Sequence, residues 1–313
     1  MKSTWLKILP LGGSRRARLL KTSLWQLSFS IGNRNTLEIW EFSVSQFPLP
    51  TKNNSAEAPA AETRRLTANE IFAAAVENAR SELRRTSRKL AFSGFAGGIT
   101  MGLTGLGVAS MRSLLGDGSW RDLVSFLAYP LGFIAVIIGR AQLFTENTLY
   151  PVILVLDEHK YLGRTLRLWG VVFASNIAGA FLFALLAART PALAPQILRE
   201  LVNMGSAAST GTAVHFFWSG VIGGWIIALV AWTVTASHWT IGQLAIIYLF
   251  TFVVGAGRFA HCIAGSCEIL TAAFSGAIRF SDFGVWLVPA TCGNIFGGVL
   301  IVSLLNYAQV KEL

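Results

Sequence analysis

Long apolar stretches separated by short polar segments make up most of the chain after about residue 90. A helix that crosses a bilayer needs about 20 mostly apolar residues, and stretches such as Leu123–Leu156 and Val214–Val234 satisfy this with few or no charges. The pattern predicts six spans, at about residues 91–112, 123–155, 168–187, 212–235, 242–280 and 284–307. The second and fifth are too long for one crossing and are interrupted by polar residues. We therefore expect these two helices to be broken.

The segment before the first span has a different pattern. Thr67 and Glu70 have the spacing of a capping box at a helix start. Apolar residues then recur at helical spacing among charged ones, which predicts an amphipathic helix over 66–90 that lies on the membrane surface. Residues 1–65 mix basic, aromatic and Pro-rich runs, and we expect a disordered N-terminal arm there. The transporter domain would then occupy 91–313.

Composition supports a bilayer as the solvent. Apolar residues make up 53% of the 313 residues and charged residues only 13%, whereas an average soluble domain carries roughly a quarter charged residues. The net charge of +10 does not predict a nucleic-acid partner, because the basic residues flank apolar spans and form no basic face. They are enriched before the first span, between the second and third, and after the sixth. This bias predicts a multi-pass protein of the cytoplasmic (inner) membrane with both termini in the cytoplasm.

The two halves of the chain resemble each other. Three motifs of the first half recur in order in the second: Ser93–Gly98 with Ser219–Gly224, Gly139-Arg140 with Gly257-Arg258, and Asn176–Gly179 with Asn294–Gly297. The second and third pairs are both separated by 118 residues, which argues against chance matching of Gly-rich spans. Because three spans per repeat is an odd number, the repeats would enter the membrane from opposite sides. Such inverted repeats place the transport site near the midplane, where broken helices meet.

The two predicted breaks, Gly139–Thr148 and Gly257–Ser266, contain the candidate site. Irregular backbone at membrane depth is tolerated where it is buried in protein or lines a cavity. Ionisable residues there are costly and usually functional. A buried histidine is often only a satisfied core residue, but His261 lies within a break and we favour a function for it.

At these positions the chain resembles the formate–nitrite transporter family from about Thr67 to Tyr307. The matching motifs are the Leu143-Phe144-Thr145 triplet, His261 after a Gly-rich and aromatic run, Asn176 with Gly179, and Gly293–Gly298 preceded by Val288-Pro289. The resemblance implies an all-α, aquaporin-like protomer of six transmembrane helices that assembles as a homopentamer, with one pore per protomer. It implies that the substrate is a small anion such as formate or nitrite, and that protons take part.

The resemblance also implies roles for individual residues. Leu143 and Phe144 would form one apolar constriction, with Thr145 beside it, and Val254 would lie at the other. His261 would stand in the chamber between the constrictions with Asn294 as its hydrogen-bond partner, and Asn176 would also belong to the path. An anion that enters an apolar constriction loses its hydration, a cost that a weak acid avoids by crossing protonated. Histidine can exchange a proton near neutral pH, and helix ends at the breaks attract the anion.

Arg140 and Arg258 have two interpretations. They could attract anions, or they could pair with Glu146 and Glu268 and fasten the breaks together; we favour pairing, because a repeated Gly-Arg is typical of architecture. The residues near His261 include no metal-ligand set with the proper spacing. We therefore expect no metal, no cofactor and no catalytic residue, and so not an enzyme.

Several positions depart from the family pattern. Ala260 stands where many members have an acidic residue, Gly265 where many have Asn, and Glu146 follows the Thr of the triplet. The chain also has no lysine between Lys160 and Lys311, where many members have one near the fourth helix. These changes indicate a divergent branch of the family. They leave open an alternative, a transport-inactive scaffold or regulatory protein on the same fold.

Overall fold

The computed structural model describes residues 64–118 and 120–311, and every regular element in these ranges is a helix. The predicted N-terminal arm, apart from its last two residues, lies outside the described part of the chain. The chain there begins with the predicted capping box, in which Thr67 and Glu70 bond reciprocally. A hydrogen bond from Arg64, together with those from Thr67, lowers the pKa of Glu70 to about 2, so the box is intact at neutral pH.

The segment predicted as one amphipathic helix over 66–90 forms two elements. Helix α1 spans Ala68–Arg84, and α2 begins at Ser87, where the Thr86 hydroxyl accepts from the Lys89 N–H. The first long helix therefore starts four residues earlier than the apolar pattern predicted, because polar residues after a good N-cap extend it. The apolar stripe of α1 packs on protein: the Phe72 ring lies 6.0 Å from the Tyr307 ring.

Broken and continuous helices alternate along the rest of the chain. Their bounds are α2 (Ser87–Leu114), α3 (Arg121–Phe126), α4 (Pro130–Ile138), α5 (Tyr150–Glu158), α6 (Leu162–Arg189), α7 (Pro195–Ala208), α8 (Ala213–Thr235), α9 (Thr240–Ala256), α10 (Ala264–Phe274), α11 (Phe280–Phe296) and α12 (Leu305–Val310). A π-helical segment, Gly297–Leu304, joins the last two. Five helical segments of the described chain are long and apolar enough to cross a membrane; the fifth predicted span instead consists of the shorter α9 and α10.

Glycines hold the long helices close together in both halves. A Cβ on Gly98 of α2 would overlap the carbonyl oxygen of Asn176 in α6, and a Cβ on Gly224 of α8 would overlap that of Asn294 in α11. The small residues of the repeated motif therefore allow the backbones of these helices to come into contact.

Helix α7 was not predicted from the sequence. With 14 residues it is too short to span a bilayer, so its apolar residues gave no span signal. It nevertheless buries Leu201, Met204 and Gly205. Glu200 fixes it to the start of α3 through Arg121, with an N–O distance of 2.8 Å.

Candidate functional site

The two breaks are held by the same hydrogen bonds in both halves of the chain. The side-chain oxygen of Asn176 accepts from the Phe144 N–H at 2.9 Å, and that of Asn294 accepts from the Cys262 N–H at 2.8 Å. Each amide nitrogen donates to two carbonyl oxygens at 2.6–2.9 Å: those of Gly94 and Gln142 for Asn176, and those of Gly220 and Ala260 for Asn294. Each asparagine thereby satisfies backbone groups that the interrupted helix leaves unpaired.

The serines and arginines of the repeated motifs also correspond. Ser93 accepts from the Gln142 N–H, and Ser219 from the Ala260 N–H. Arg140 and Arg258 both adopt left-handed backbone conformations, with φ of 57° and 52°. The repeat predicted from the sequence is therefore a repeat of local structure at both breaks.

The predicted ion pairs at the breaks are wrong. Arg258 binds Asp122 of α3, with 2.6 Å between nitrogen and oxygen. Among residues 64–118 and 120–311, Arg140, Glu146 and Glu268 form no salt bridge. The prediction paired each arginine with a carboxylate close to it in the sequence. The fold instead brings Asp122 of α3 to Arg258 at the second break.

His261 and Thr145, one from each break, meet in the protein interior. The Nε2 atom of His261 lies 2.8 Å from the Thr145 hydroxyl oxygen, and both side chains are buried. The Nδ1 atom accepts from the Ala264 N–H at 3.1 Å. Because Nδ1 is thus an acceptor, the neutral imidazole carries its proton on Nε2 and donates it to Thr145.

Asn294 is not the hydrogen-bond partner of His261, contrary to the sequence prediction. Its amide is fully used by Cys262, Gly220 and Ala260, and the imidazole bonds to Thr145 and Ala264. Asn176 and Asn294 therefore position the breaks rather than contact His261.

Aromatic and apolar side chains surround the histidine. The edge of the Phe133 ring meets the imidazole, with 5.0 Å between ring centroids. At the first break, Phe144, the neighbour of Thr145 in the chain, packs against Phe173 and Trp169, with centroid distances of 4.9 and 5.8 Å. Leu143 is fully buried in the core. Phe133 escaped the sequence analysis because it lies within an uninterrupted apolar run without a motif.

A cavity of about 210 Å³ reaches His261 from the side of α3 and α7. Val254, predicted to lie at a constriction, lines it with Tyr129, which the sequence analysis did not single out. Its charged lining residues are Arg112, Arg258 and Glu268. The cavity therefore connects a charged mouth with a buried, mostly apolar interior that contains one imidazole.

A polar network lies at the first break. The Gln142 amide donates to Glu82 of α1 at 2.8 Å and accepts from Asn147 at 2.9 Å. The Trp169 indole donates to the Asn147 carbonyl oxygen. Helix α1 is thereby tied to the break that carries Thr145.

No group of three or more His, Cys, Asp or Glu side chains in the described part of the chain could hold a metal ion. Of the three cysteines, Cys262 and Cys267 are buried and Cys292 is exposed.

Paired broken helices around a buried polar contact, within a bundle of helices long enough to cross a bilayer, define a membrane channel or transporter. The chain belongs to the formate/nitrite transporter family, whose sequence model matches residues 69–308. The inner membrane protein YfdC of Escherichia coli is 33% identical over 240 residues, which cover 75% of this chain and 76% of that protein. The probable formate transporter of Methanothermobacter thermautotrophicus is 28% identical over 211 residues, covering 61% of this chain and 76% of that protein.

Two solved structures share the fold. An FNT family ion channel aligns with a TM-score of 0.69 and 21% identity, covering 76% of this chain and 98% of its own. A pentameric formate channel with formate bound aligns with a TM-score of 0.61 and 21% identity, covering 71% and 97%. The expected all-α membrane fold is therefore confirmed.

Proposed function

We propose that this protein passes a small monovalent anion, such as formate or nitrite, together with a proton across the cytoplasmic membrane. The contact between His261 Nε2 and the Thr145 hydroxyl, 2.8 Å long and buried among apolar side chains, carries this proposal. The cavity with the charged lining residues reaches this contact at His261. An anion that leaves the cavity would replace part of its hydration shell by hydrogen bonds to these two side chains.

The apolar surroundings of His261 are the reason why we expect a proton to accompany the anion. Transfer of a bare charge past Phe133 and Phe144 would be very costly, whereas a neutral acid avoids most of this cost. In the proposed path the weak acid crosses these rings, and His261 and Thr145 exchange hydrogen bonds between each other and the substrate. Protonation of His261 at Nδ1 would require loss of the bond from the Ala264 N–H, so the neutral imidazole is the resting form.

The assembly and orientation are part of the same proposal. The pentameric formate channel supports a homopentamer for this chain, and the basic residues of the predicted cytoplasmic loops support cytoplasmic termini. We place α1 at the cytoplasmic membrane surface, with its apolar stripe against the bundle. The cavity that reaches His261 argues against the alternative of a transport-inactive scaffold.

Uptake by proteoliposomes tests the proposal. Formate, nitrite, acetate and hydrosulfide are each offered at about pH 5 and about pH 8 to the wild type and to His261→Ala. His238→Ala is the matched control, because His238 is exposed in a connecting segment. We expect uptake of at least one anion to rise at the lower pH, to fail in His261→Ala and to persist in the control. No uptake of any of them by folded, inserted protein would overturn the proposal for these substrates.

A further inference from the structure

Glu268 is a buried carboxylate that forms no hydrogen bond with the part of the chain that the structure describes. It lies on α10, is 8% exposed and lines the cavity that also reaches His261. Within residues 64–118 and 120–311 its side chain takes part in no hydrogen bond and no salt bridge. The carboxylate therefore faces the cavity with its acceptor positions free for water or a solute.

Two glycines on neighbouring helices make room for this residue. A Cβ on Gly105 of α2 would lie 2.8 Å from Cγ and 3.1 Å from Oε1 of Glu268. A Cβ on Gly205 of α7 would overlap the carbonyl oxygen of Glu268. A larger residue at Gly105 would displace the Glu268 side chain, and one at Gly205 would displace its backbone, so the position of Glu268 depends on both α2 and α7.

The charged side chains at the cavity mouth nearly cancel, so the protonation state of Glu268 determines the net charge there. Arg112 and Arg258 each bind one oxygen of Asp122, at 2.5 and 2.6 Å. Two guanidinium groups thus share one carboxylate and leave one net positive charge. An ionised Glu268 cancels that charge, whereas a protonated Glu268 leaves it in place and adds an O–H donor.

The other titratable groups near Glu268 are few. Glu200 of α7 is paired with Arg121, and its charge is thereby compensated. The remaining titratable groups of the cavity lining and of α10 itself are Tyr129, His215, His261 and Cys267. Of these, His215 is exposed, whereas Tyr129, His261 and Cys267 are buried.

We propose that Glu268 controls the entry of small monovalent anions by its protonation state. The protonated residue leaves the mouth net positive and offers its O–H to the anion, and the ionised residue neutralises the mouth and repels the anion. This inference rests on the proposed function, because it assigns a control of entry to the same path. It predicts an acid dependence of uptake that does not originate at His261.

Uptake by Glu268→Gln tests this directly, since the amide fixes a neutral donor of the same size. At about pH 8 we expect uptake about tenfold above that of the wild type, and at about pH 5 an equal uptake. Glu268→Asp should retain the wild-type dependence, as should Glu77→Gln, which removes an exposed carboxylate of α1. If Glu268→Gln keeps the wild-type pH profile while the wild type carries anions, the inference is overturned and the proposed function stands.

An infrared titration of the reconstituted protein gives a second readout that needs no transport. The C=O band of protonated carboxyls should grow as the pH falls, and the component due to Glu268 should be missing from the spectrum of Glu268→Gln. Formate should move this titration to higher pH, because a ligand that prefers the protonated form stabilises it. A titration unaffected by formate would overturn the inference. If the wild type transports no anion, the proposed function fails. The formate-dependent shift still tests the role of Glu268 in that case, because it is measured without transport.

Discussion

At the scale of single residues, the centre of the molecule is a contact between two side chains that lie 116 positions apart in the chain. Thr145 accepts from the neutral imidazole of His261, whose other nitrogen is occupied by the Ala264 N–H. This arrangement fixes both the tautomer and the orientation of the ring. The only exchangeable proton of the neutral ring thus points to Thr145.

Thr145→Val tests the contact, because it removes the hydroxyl while keeping the shape of the side chain. The His261 N–H would be left buried without an acceptor, which costs about 1–3 kcal/mol of stability. Anion uptake should fall about tenfold. The measurements are thermal unfolding in detergent and uptake by proteoliposomes.

Thr165→Val is the control for this change. The Thr165 hydroxyl is buried and has no hydrogen-bond partner in the described part of the chain, so its removal should be neutral or slightly stabilising. Equal losses in both variants would contradict the role given to Thr145.

The two asparagines give a second prediction. Asn176→Ala and Asn294→Ala each remove the partner of one buried N–H and two carbonyl oxygens. Each should lower the unfolding free energy by about 3 kcal/mol or more, and by similar amounts since the bonds are the same. Asn306→Ala, which removes one half-buried bond to Val302, should cost less than about 1.5 kcal/mol. A large difference between the first two variants would refute the equivalence of the breaks.

At the scale of elements, each half pairs a glycine-bearing helix with an asparagine-bearing one: α2 with α6, and α8 with α11. In each pair the glycine lies against the asparagine whose side chain bonds to the break. The halves differ at their ends, because the last long helical segment contains the π-helical segment Gly297–Leu304. Within it, Ser303 donates to the carbonyl oxygens of Thr148 and Gly298. This bond connects the last helix to the break that carries Thr145.

The glycine contacts predict the effect of adding one methyl group. Gly98→Ala and Gly224→Ala force a Cβ into a backbone carbonyl oxygen, so each should destabilise the protein by about 1–3 kcal/mol. Gly163→Ala, at a helical site with nothing within 4 Å of the added Cβ, should be neutral or stabilise by up to about 1 kcal/mol. Unfolding midpoints of the three variants provide the comparison, and a tolerated Gly98→Ala would show that the helices can separate without cost.

The elements also show what could be predicted from the sequence. The apolar stretches and the repeated Gly, Arg and Asn positions predicted the long helices and the two breaks, because each feature is local or periodic. Asp122 was not recognised as the partner of Arg258, since the contact joins residues 136 positions apart. The sequence also could not show whether Asn294 bonds to backbone groups of the break or to His261, because both roles require a buried amide side chain.

At the scale of the whole molecule, the two halves contribute unequally to the proposed path. The first break supplies Thr145 and the second supplies His261, while the charged cavity lies on the side of the second break. The repeat therefore builds the frame twice, while the side chains around the two breaks differ. Arg112, Arg258 and Glu268 line the cavity on the side of the second break, and Asp122 binds both arginines.

Simultaneous recording of formate uptake and lumenal pH in proteoliposomes tests the central claim most directly, that the anion passes His261 together with a proton. We predict that the lumen acidifies in proportion to formate uptake, with about one proton per anion. His261→Ala should abolish both the uptake and the acidification, and His238→Ala should retain both. Formate uptake without acidification, or uptake unchanged in His261→Ala, would contradict the account.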